Sequence, residues 1–286
     1  MRHITVMLIT LVVTLSCNHT GNHGTDNKEI NGVFVAWDPS SLKRLSREDA
    51  AYAGYARMIR LQDSTLLCVY ESDGNIECIR RRGDEESWGP PLIIAAADNK
   101  VSRCVPEILE KMDGTLLVSY NLRPPADNTD TAKRFTIHVK HSNDKGLTWT
   151  DETEVYRAGY AFKNGCWEPS QVQLPSGEIQ LFIANEGPYE HSDEQEITRF
   201  RSADGGHSWS AGETVSFRKG HRDGMPVPLL LRNKRELLIA IEDNGMEGAT
   251  FKPVILHAAT GQQSSINGQD TRRSYSFAGE SAIPPR

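Results

Sequence analysis

The sequence predicts an all-β protein built from repeated antiparallel units, a β-propeller, and three observations carry that expectation. Short apolar runs alternate with polar turns along most of the chain, while helical periodicity is nearly absent. A strand–turn–strand pattern recurs at intervals of about 50 to 60 residues, within the range of propeller repeats. A turn of the form S-x-D-x-G-x-[ST]-W occurs twice, at Ser142-Asn143-Asp144-Lys145-Gly146-Leu147-Thr148-Trp149 and at Ser202-Ala203-Asp204-Gly205-Gly206-His207-Ser208-Trp209.

The chain of 286 residues is long enough for one large all-β domain. Its net charge of −6 and the lack of a basic stripe argue against nucleic acid as a partner. Residues 1–17 read as an export signal: Arg2 and His3 precede the apolar run Ile4 to Leu15, which is too short to span a bilayer. Ser16-Cys17 ends it like a bacterial lipobox, although Thr14 stands where that motif prefers Leu. Cys17 is therefore the candidate lipidation site, and a lipid anchor is the one membrane contact expected. The protein is expected in the cell envelope, periplasm or medium, as a monomer. Residues 18–30 read as a polar tether.

Residues 31–257 are assigned to blades. The inner hairpin is clearest at Arg60 to Tyr70 and is echoed at Leu109 to Tyr120, Val172 to Phe182 and Leu230 to Ala240. The outer half follows, as in Phe135 to Trp149 and Ile197 to Trp209, with the Asp-Gly turn between its strands. Within those turns Asp bonds amides further along the loop, Gly supplies positive φ, and Trp buries a large apolar area. Val33 to Ala56 is a candidate for a ring-closing strand. Residues 258–286, rich in Gly, Ser, Gln and Arg, are expected to form an irregular tail that packs no blade, as in a truncated or frame-shifted chain. Cys68 and Cys78 flank a turn and are read as a disulfide or, by preference, as buried free thiols, because directly opposed strand pairs suit a disulfide poorly.

The repeated turn resembles the Asp-box of the sialidase-like β-propellers, in which it lies on the blade edge away from the active site. That resemblance makes Asp144, Trp149, Asp204 and Trp209 structural. Two further stretches carry candidate chemistry. In Gly165-Cys166-Trp167-Glu168-Pro169, an acidic residue stands between Trp and Pro just before an inner strand, and Trp167 can form an apolar wall or a sugar-stacking face. In Arg222-Asp223-Gly224-Met225-Pro226-Val227, followed by Ile241-Glu242, a second carboxylate ends a strand of the next blade. Two carboxylates converging on one pocket suit glycoside hydrolysis.

These stretches resemble the exo-1,5-α-L-arabinanase family over about Arg57 to Pro253. The resemblance implies six blades, a retaining mechanism, release of arabinobiose from linear arabinan, and no metal or other cofactor. It implies Glu168 and Glu242 as the catalytic pair. It also implies substrate contacts at Arg57, Arg103, Glu107, Trp167, Arg222 and Asp223. Asp223 can instead cap its Asp-Gly turn, Asp243 or Glu247 can replace Glu242 if the register slips, and Glu186 is a further channel candidate. An exo-α-sialidase is the alternative enzyme, though Tyr55-Ala56-Arg57-Met58-Ile59 stands where that family has F-R-I-P. A non-catalytic glycan-binding propeller using Trp37, Trp88 and Trp167 is the alternative outside enzymes. No G-x-S-x-G elbow, phosphate loop or zinc motif is present in the sequence.

Overall fold

The computed structural model describes residues 38–245, 250–261 and 264–275, so Cys17, Trp37 and Glu247 lie outside the described residues. Among them, sixteen strands form four antiparallel sheets of four strands each. Blade 1 is β1 (Ala53–Arg60), β2 (Leu66–Ser72), β3 (Asn75–Arg81) and β4 (Leu92–Ala95). Blade 2 is β5 (Ser102–Glu110), β6 (Leu116–Arg123), β7 (Thr136–Ser142) and β8 (Thr153–Arg157). Blade 3 is β9 (Cys166–Gln173), β10 (Ile179–Asn185), β11 (Glu196–Ser202) and β12 (Glu213–Ser216). Blade 4 is β13 (Asp223–Leu230), β14 (Glu236–Asp243), β15 (Lys252–Ala259) and β16 (Arg273–Tyr275). The first strands of successive blades touch one another, β1 to β5, β5 to β9 and β9 to β13, which makes them the innermost.

Strand periodicity explains how the blades stack. In β6, Leu116, Val118 and Tyr120 point to one face and pack with Leu67, Val69 and Ile76 of blade 1. Leu117 points to the other face and joins Phe182, Ile197 and Phe200 of blade 3. The same cluster continues through Leu237, Ile239 and Leu256 of blade 4. The second strands are thus apolar on both faces, because each sheet is sandwiched between neighbours.

Cys68 pairs with Ile79 and Cys78 with Val69, so the two thiols emerge on opposite faces of the hairpin. All four cysteines among the described residues are buried and free. Burial pushes the Cys68 thiol up to about 12 and those of Cys78 and Cys104 up to about 11.

Both Asp-boxes fold alike, at the turn between the third and fourth strands. Asp144 Oδ1 accepts from the amides of Leu147 (3.0 Å) and Thr148 (2.8 Å), and Ser142 Oγ accepts from Gly146 N–H at 2.8 Å. Asp204 repeats this with His207 (3.1 Å) and Ser208 (2.9 Å), and Ser202 with Gly206 (2.8 Å). The second box is stitched to blade 2. Lys111 Nζ donates to Gly205 O at 3.1 Å, and His207 stacks on His141 with ring centroids 4.4 Å apart. Gly206, at φ +98°, leaves that contact room: a Cβ there would meet Leu117 at 3.1 Å.

Two expectations about the chain's margins are corrected. Of the candidate ring-closing segment Val33 to Ala56, residues 33–37 lie outside the described residues, residues 38–52 carry a 3₁₀ turn at Pro39–Ser41 and irregular backbone, and Ala53–Ala56 begin β1, the innermost strand of blade 1. The expected tail begins inside β15 and is not irregular throughout. It contributes Ile266, fully buried and bridged to Ser216, and β16, which pairs with β15. The signal lay in single residues that composition averages away. Asp223 and Asp243 face each other directly across β13 and β14, two carboxylates with no side-chain exposure. Arg273 from the tail lies between them, bonding Asp223 at 2.7 and 3.0 Å and Asp243 at 2.7 Å, with Ser216 Oγ also at 2.7 Å. Blade 4 depends on this counter-charge.

Replacing Arg273 with Met leaves Asp223 buried without a guanidinium, while Asp243 keeps Arg218 at 3.0 Å, and is expected to cost about 3–5 kcal/mol in urea unfolding; a loss below about 1 kcal/mol would sink that account. His141 offers a second test. Burial, with His207 and Lys111 alongside, lowers its pKa from 6.5, opposed by the Gly206 carbonyl and Asp204. Folded His141 therefore binds a proton less readily than unfolded, so its contribution is complete above 6.5 and is lost as pH falls from there. Melting temperature is expected to fall less steeply between about pH 7 and pH 5 in His141→Gln than in wild type. Parallel curves would remove the histidine from the account.

Candidate active site

One irregularity recurs in every innermost strand. Tyr55-Ala56, Val105-Pro106, Glu168-Pro169 and Met225-Pro226 each oppose a single residue of the neighbouring strand, which makes each pair a bulge. The first residue of each pair has a left-handed backbone: φ is 49° at Tyr55, 51° at Val105, 56° at Glu168 and 50° at Met225. Such a φ is uncommon outside glycine, and a following proline restricts the residue further. The bulges re-aim the inner strands where they meet, and Glu168 occupies one of them.

Glu168 is positioned from both sides. Its N–H donates to Asn121 Oδ1 at 3.1 Å, and its Oε2 accepts from Met225 N–H of the next blade at 2.9 Å. Just upstream, Gly165 allows close approach, since a Cβ there would lie 2.5 Å from the Trp167 ring. Trp167 is buried against Phe135 and Phe162, each 5.0 Å away centroid to centroid, with the Arg123 guanidinium 4.9 Å from its ring centroid. Buried in this cluster, Trp167 forms the apolar wall, one of the two roles expected of it.

Burial raises the pKa of Glu168 above its ordinary value, against the Met225 amide; Glu242 raises it further, Arg123 lowers it, and Glu186 raises it. The charges of Glu242, Arg123 and Glu186 thus all act on Glu168. Glu242 lies opposite Gly224 on β14 and is exposed. Glu186 is buried, and burial raises its pKa against the pull of Arg222, whose guanidinium donates to it and to Gln195 Oε1 at 2.7 Å. A second layer lies along the inner strands. Arg57 Nε donates to Glu107 Oε2 at 3.3 Å, and Ser170 Oγ approaches the same oxygen at 3.5 Å. Burial raises Glu107 as well, opposed by the Ile108 amide and Arg57.

The structure therefore brings together Glu168, Glu242, Trp167, Arg222, Arg57 and Glu107, with Glu186. Two expected contacts do not join them. Arg103 is buried on β5 and donates to Glu152 at 2.9 Å, so it serves blade 2. Asp223 neither caps its turn nor faces the channel, because Arg273 holds it in the core of blade 4. Trp88 packs at the rim of blade 1 under Arg81, 5.8 Å from its ring. A concavity of about 580 Å³ between Leu237, Leu238, His257 and Arg272 lies on blade 4, away from the carboxylates. Sequence reasoning missed Glu71, Asn121 and Arg123. The inner-hairpin echoes end at Tyr70 and Tyr120, and the next residue in each is Glu71 or Asn121; extending the alignment by one position would have exposed them.

No family model matches the chain, and no curated protein does. Solved structures do match. A GH93 α-L-arabinofuranosidase of Fusarium graminearum in complex with arabinobiose is 20% identical with a TM-score of 0.59, over 76% of this chain and 64% of that one. The Penicillium chrysogenum α-L-arabinanase complexed with arabinobiose is 19% identical with a TM-score of 0.59, over 77% and 68%. A leech intramolecular trans-sialidase is 10% identical with a TM-score of 0.57, over 75% and 50%. The fold is that of the sialidase-like propellers. The chain spans 64% of the length of the Fusarium enzyme.

Arg123 favours the ionised form of Glu168, so Arg123→Met is expected to move the titration of Glu168 upward, read from its carboxyl carbon by NMR and assigned with Glu168→Gln. A titration that stays put or moves down would remove Arg123 from the electrostatics of the site.

Proposed function

We propose that this protein is a glycoside hydrolase that cleaves a neutral glycan of the α-L-arabinan type with Glu168 and Glu242 as its two carboxylates. The observation that carries the reading is that Glu168 Oε2 accepts from Met225 N–H, next to Gly224, which Glu242 faces across β13 and β14, beside arginines held by other carboxylates. Arg57 is paired with Glu107, Arg222 with Glu186 and, off the channel, Arg103 with Glu152. A sialidase needs free guanidinium groups for its substrate's carboxylate. With Arg57 and Arg222 held by carboxylates, the site offers little to an anionic sugar and accommodates a neutral one. The arabinobiose bound in two similar folds agrees with a neutral pentose substrate.

In the reaction, one carboxyl gives its proton to the glycosidic oxygen as the bond from that oxygen to the anomeric carbon breaks. The other carboxylate stabilises or attacks the positive anomeric centre, and water then completes the transfer. Burial raises the pKa of Glu168 and so favours its protonated form, while the Met225 amide favours its anion. Both roles stay open to it on that balance.

The full chain is expected to release arabinose or arabinobiose from linear arabino-oligosaccharides and nothing from sialyllactose. Glu168→Gln is expected to lower the rate by about 10²–10⁴-fold. Sialic acid release would overturn the neutral-sugar reading in favour of a sialidase. Glycan binding without turnover, unaffected by Glu168→Gln in a folded sample, would overturn the enzyme reading in favour of a binding propeller.

A further inference from the structure

The bulges form a relay that passes from blade to blade. In blades 2, 3 and 4 the left-handed residue of the bulge donates its N–H to a side chain of the preceding blade. Glu71 Oε2 of blade 1 accepts from Val105 of blade 2 at 2.9 Å. Asn121 Oδ1 of blade 2 accepts from Glu168 of blade 3 at 3.1 Å. Glu71 and Asn121 hold the same place in the repeat, opposite Gly54 and Cys104 one step before each bulge. In blade 3 that place, opposite Trp167, is Ala184, which has no acceptor. The Met225 amide of blade 4 is accepted instead by Glu168 itself, at 2.9 Å.

The substitution changes what Glu168 is attached to. Its backbone is held by blade 2 through Asn121, and its carboxylate is held by blade 4 through Met225. Asn121 is fully buried and leaves little freedom, because its Nδ2 donates to Cys166 O at 2.5 Å while its Oδ1 accepts from Glu168. The amide therefore grips the chain on both sides of Trp167. A left-handed residue before proline reverts to an extended conformation when nothing over-determines it. That reversal would swing the Glu168 carboxylate off the Met225 amide. An error of about 1 Å at a reacting group costs on the order of 10²-fold in rate.

We propose that Asn121 is the positioning residue for Glu168: by accepting its N–H and holding Cys166 O, Asn121 locks the left-handed backbone that sets the Glu168 carboxylate against the Met225 amide. The proposal rests on the reading of Glu168 as a working carboxylate, and its test has one readout that does not. Asn121→Leu keeps the volume and removes both hydrogen bonds; Asn121→Asp keeps the acceptor and loses the donor.

With arabino-oligosaccharides, Asn121→Leu of the full chain is expected to lower kcat by more than about tenfold with KM within about twofold, and Asn121→Asp to recover part of kcat. The Met225 amide, observed by ¹H–¹⁵N NMR, is expected to shift with pH as Glu168 titrates in wild type and to lose that dependence in Asn121→Leu. If wild type turns over no glycan, the hydrolase reading fails while the amide experiment still decides the positioning claim. The claim is overturned if the Met225 amide of a folded Asn121→Leu sample follows Glu168 as in wild type. It is also overturned if kcat is unchanged, or if Leu and Asp lower kcat, KM and melting temperature alike.

Discussion

A left-handed residue followed by proline, or by alanine in blade 1, stands once in each innermost strand. In blades 2, 3 and 4 its amide takes its acceptor from the blade before. This constraint adds to the apolar packing and the other polar contacts between neighbouring blades a link at the inner strands, where rigidity bears on chemistry. Glu71, Asn121 and Glu168 are three answers to one structural demand. Glu168 answers it from an unusual place because Ala184 cannot. A residue whose main chain and carboxylate are held by different blades has its position set by the stacking of three sheets.

The outer edge of the blades solves a different problem. There the Asp-boxes close the last hairpin by folding carboxylate and hydroxyl oxygens back onto loop amides. Hydrogen bonds from the Ser208 hydroxyl and amide hold Asp204 below the ordinary carboxylate range. Such groups are spent on the turn and have no free oxygen geometry to offer a substrate. Contacts from the second box to Lys111 and His141 add a peripheral seam between blades 2 and 3. Turn chemistry at the rim and titratable chemistry at the centre are thus separated along each sheet.

Charge is arranged as deliberately in the core as in the channel. Two opposed aspartates on β13 and β14 would repel across a cross-strand pair. Arg273 reaches them from a segment whose composition gave no hint of order, and Ile266 beside it fills the space against Ser216. In the channel the arginines meet carboxylates one for one, except Arg123, which stacks on Trp167 and acts on Glu168 through space.

The sequence alone determined the class of fold, the inner-hairpin unit and the place of both Asp-boxes, because these rest on local rules: period-two alternation, turn residues with positive φ, and a repeat long enough to see. It also marked Glu168 and Glu242 through the residues around them. Tertiary structure decided the rest. Whether Arg103 or Asp223 faces a channel or a core depends on which partner, about 50 residues away for each, its side chain meets. Whether Cys68 and Cys78 can bridge depends on a register that places them on opposite faces. The relay of capped amides was invisible because each link joins two blades. A hydrogen bond between residues distant in the chain leaves its trace in space, where the stacked sheets bring Asn121, Glu168 and Met225 into line.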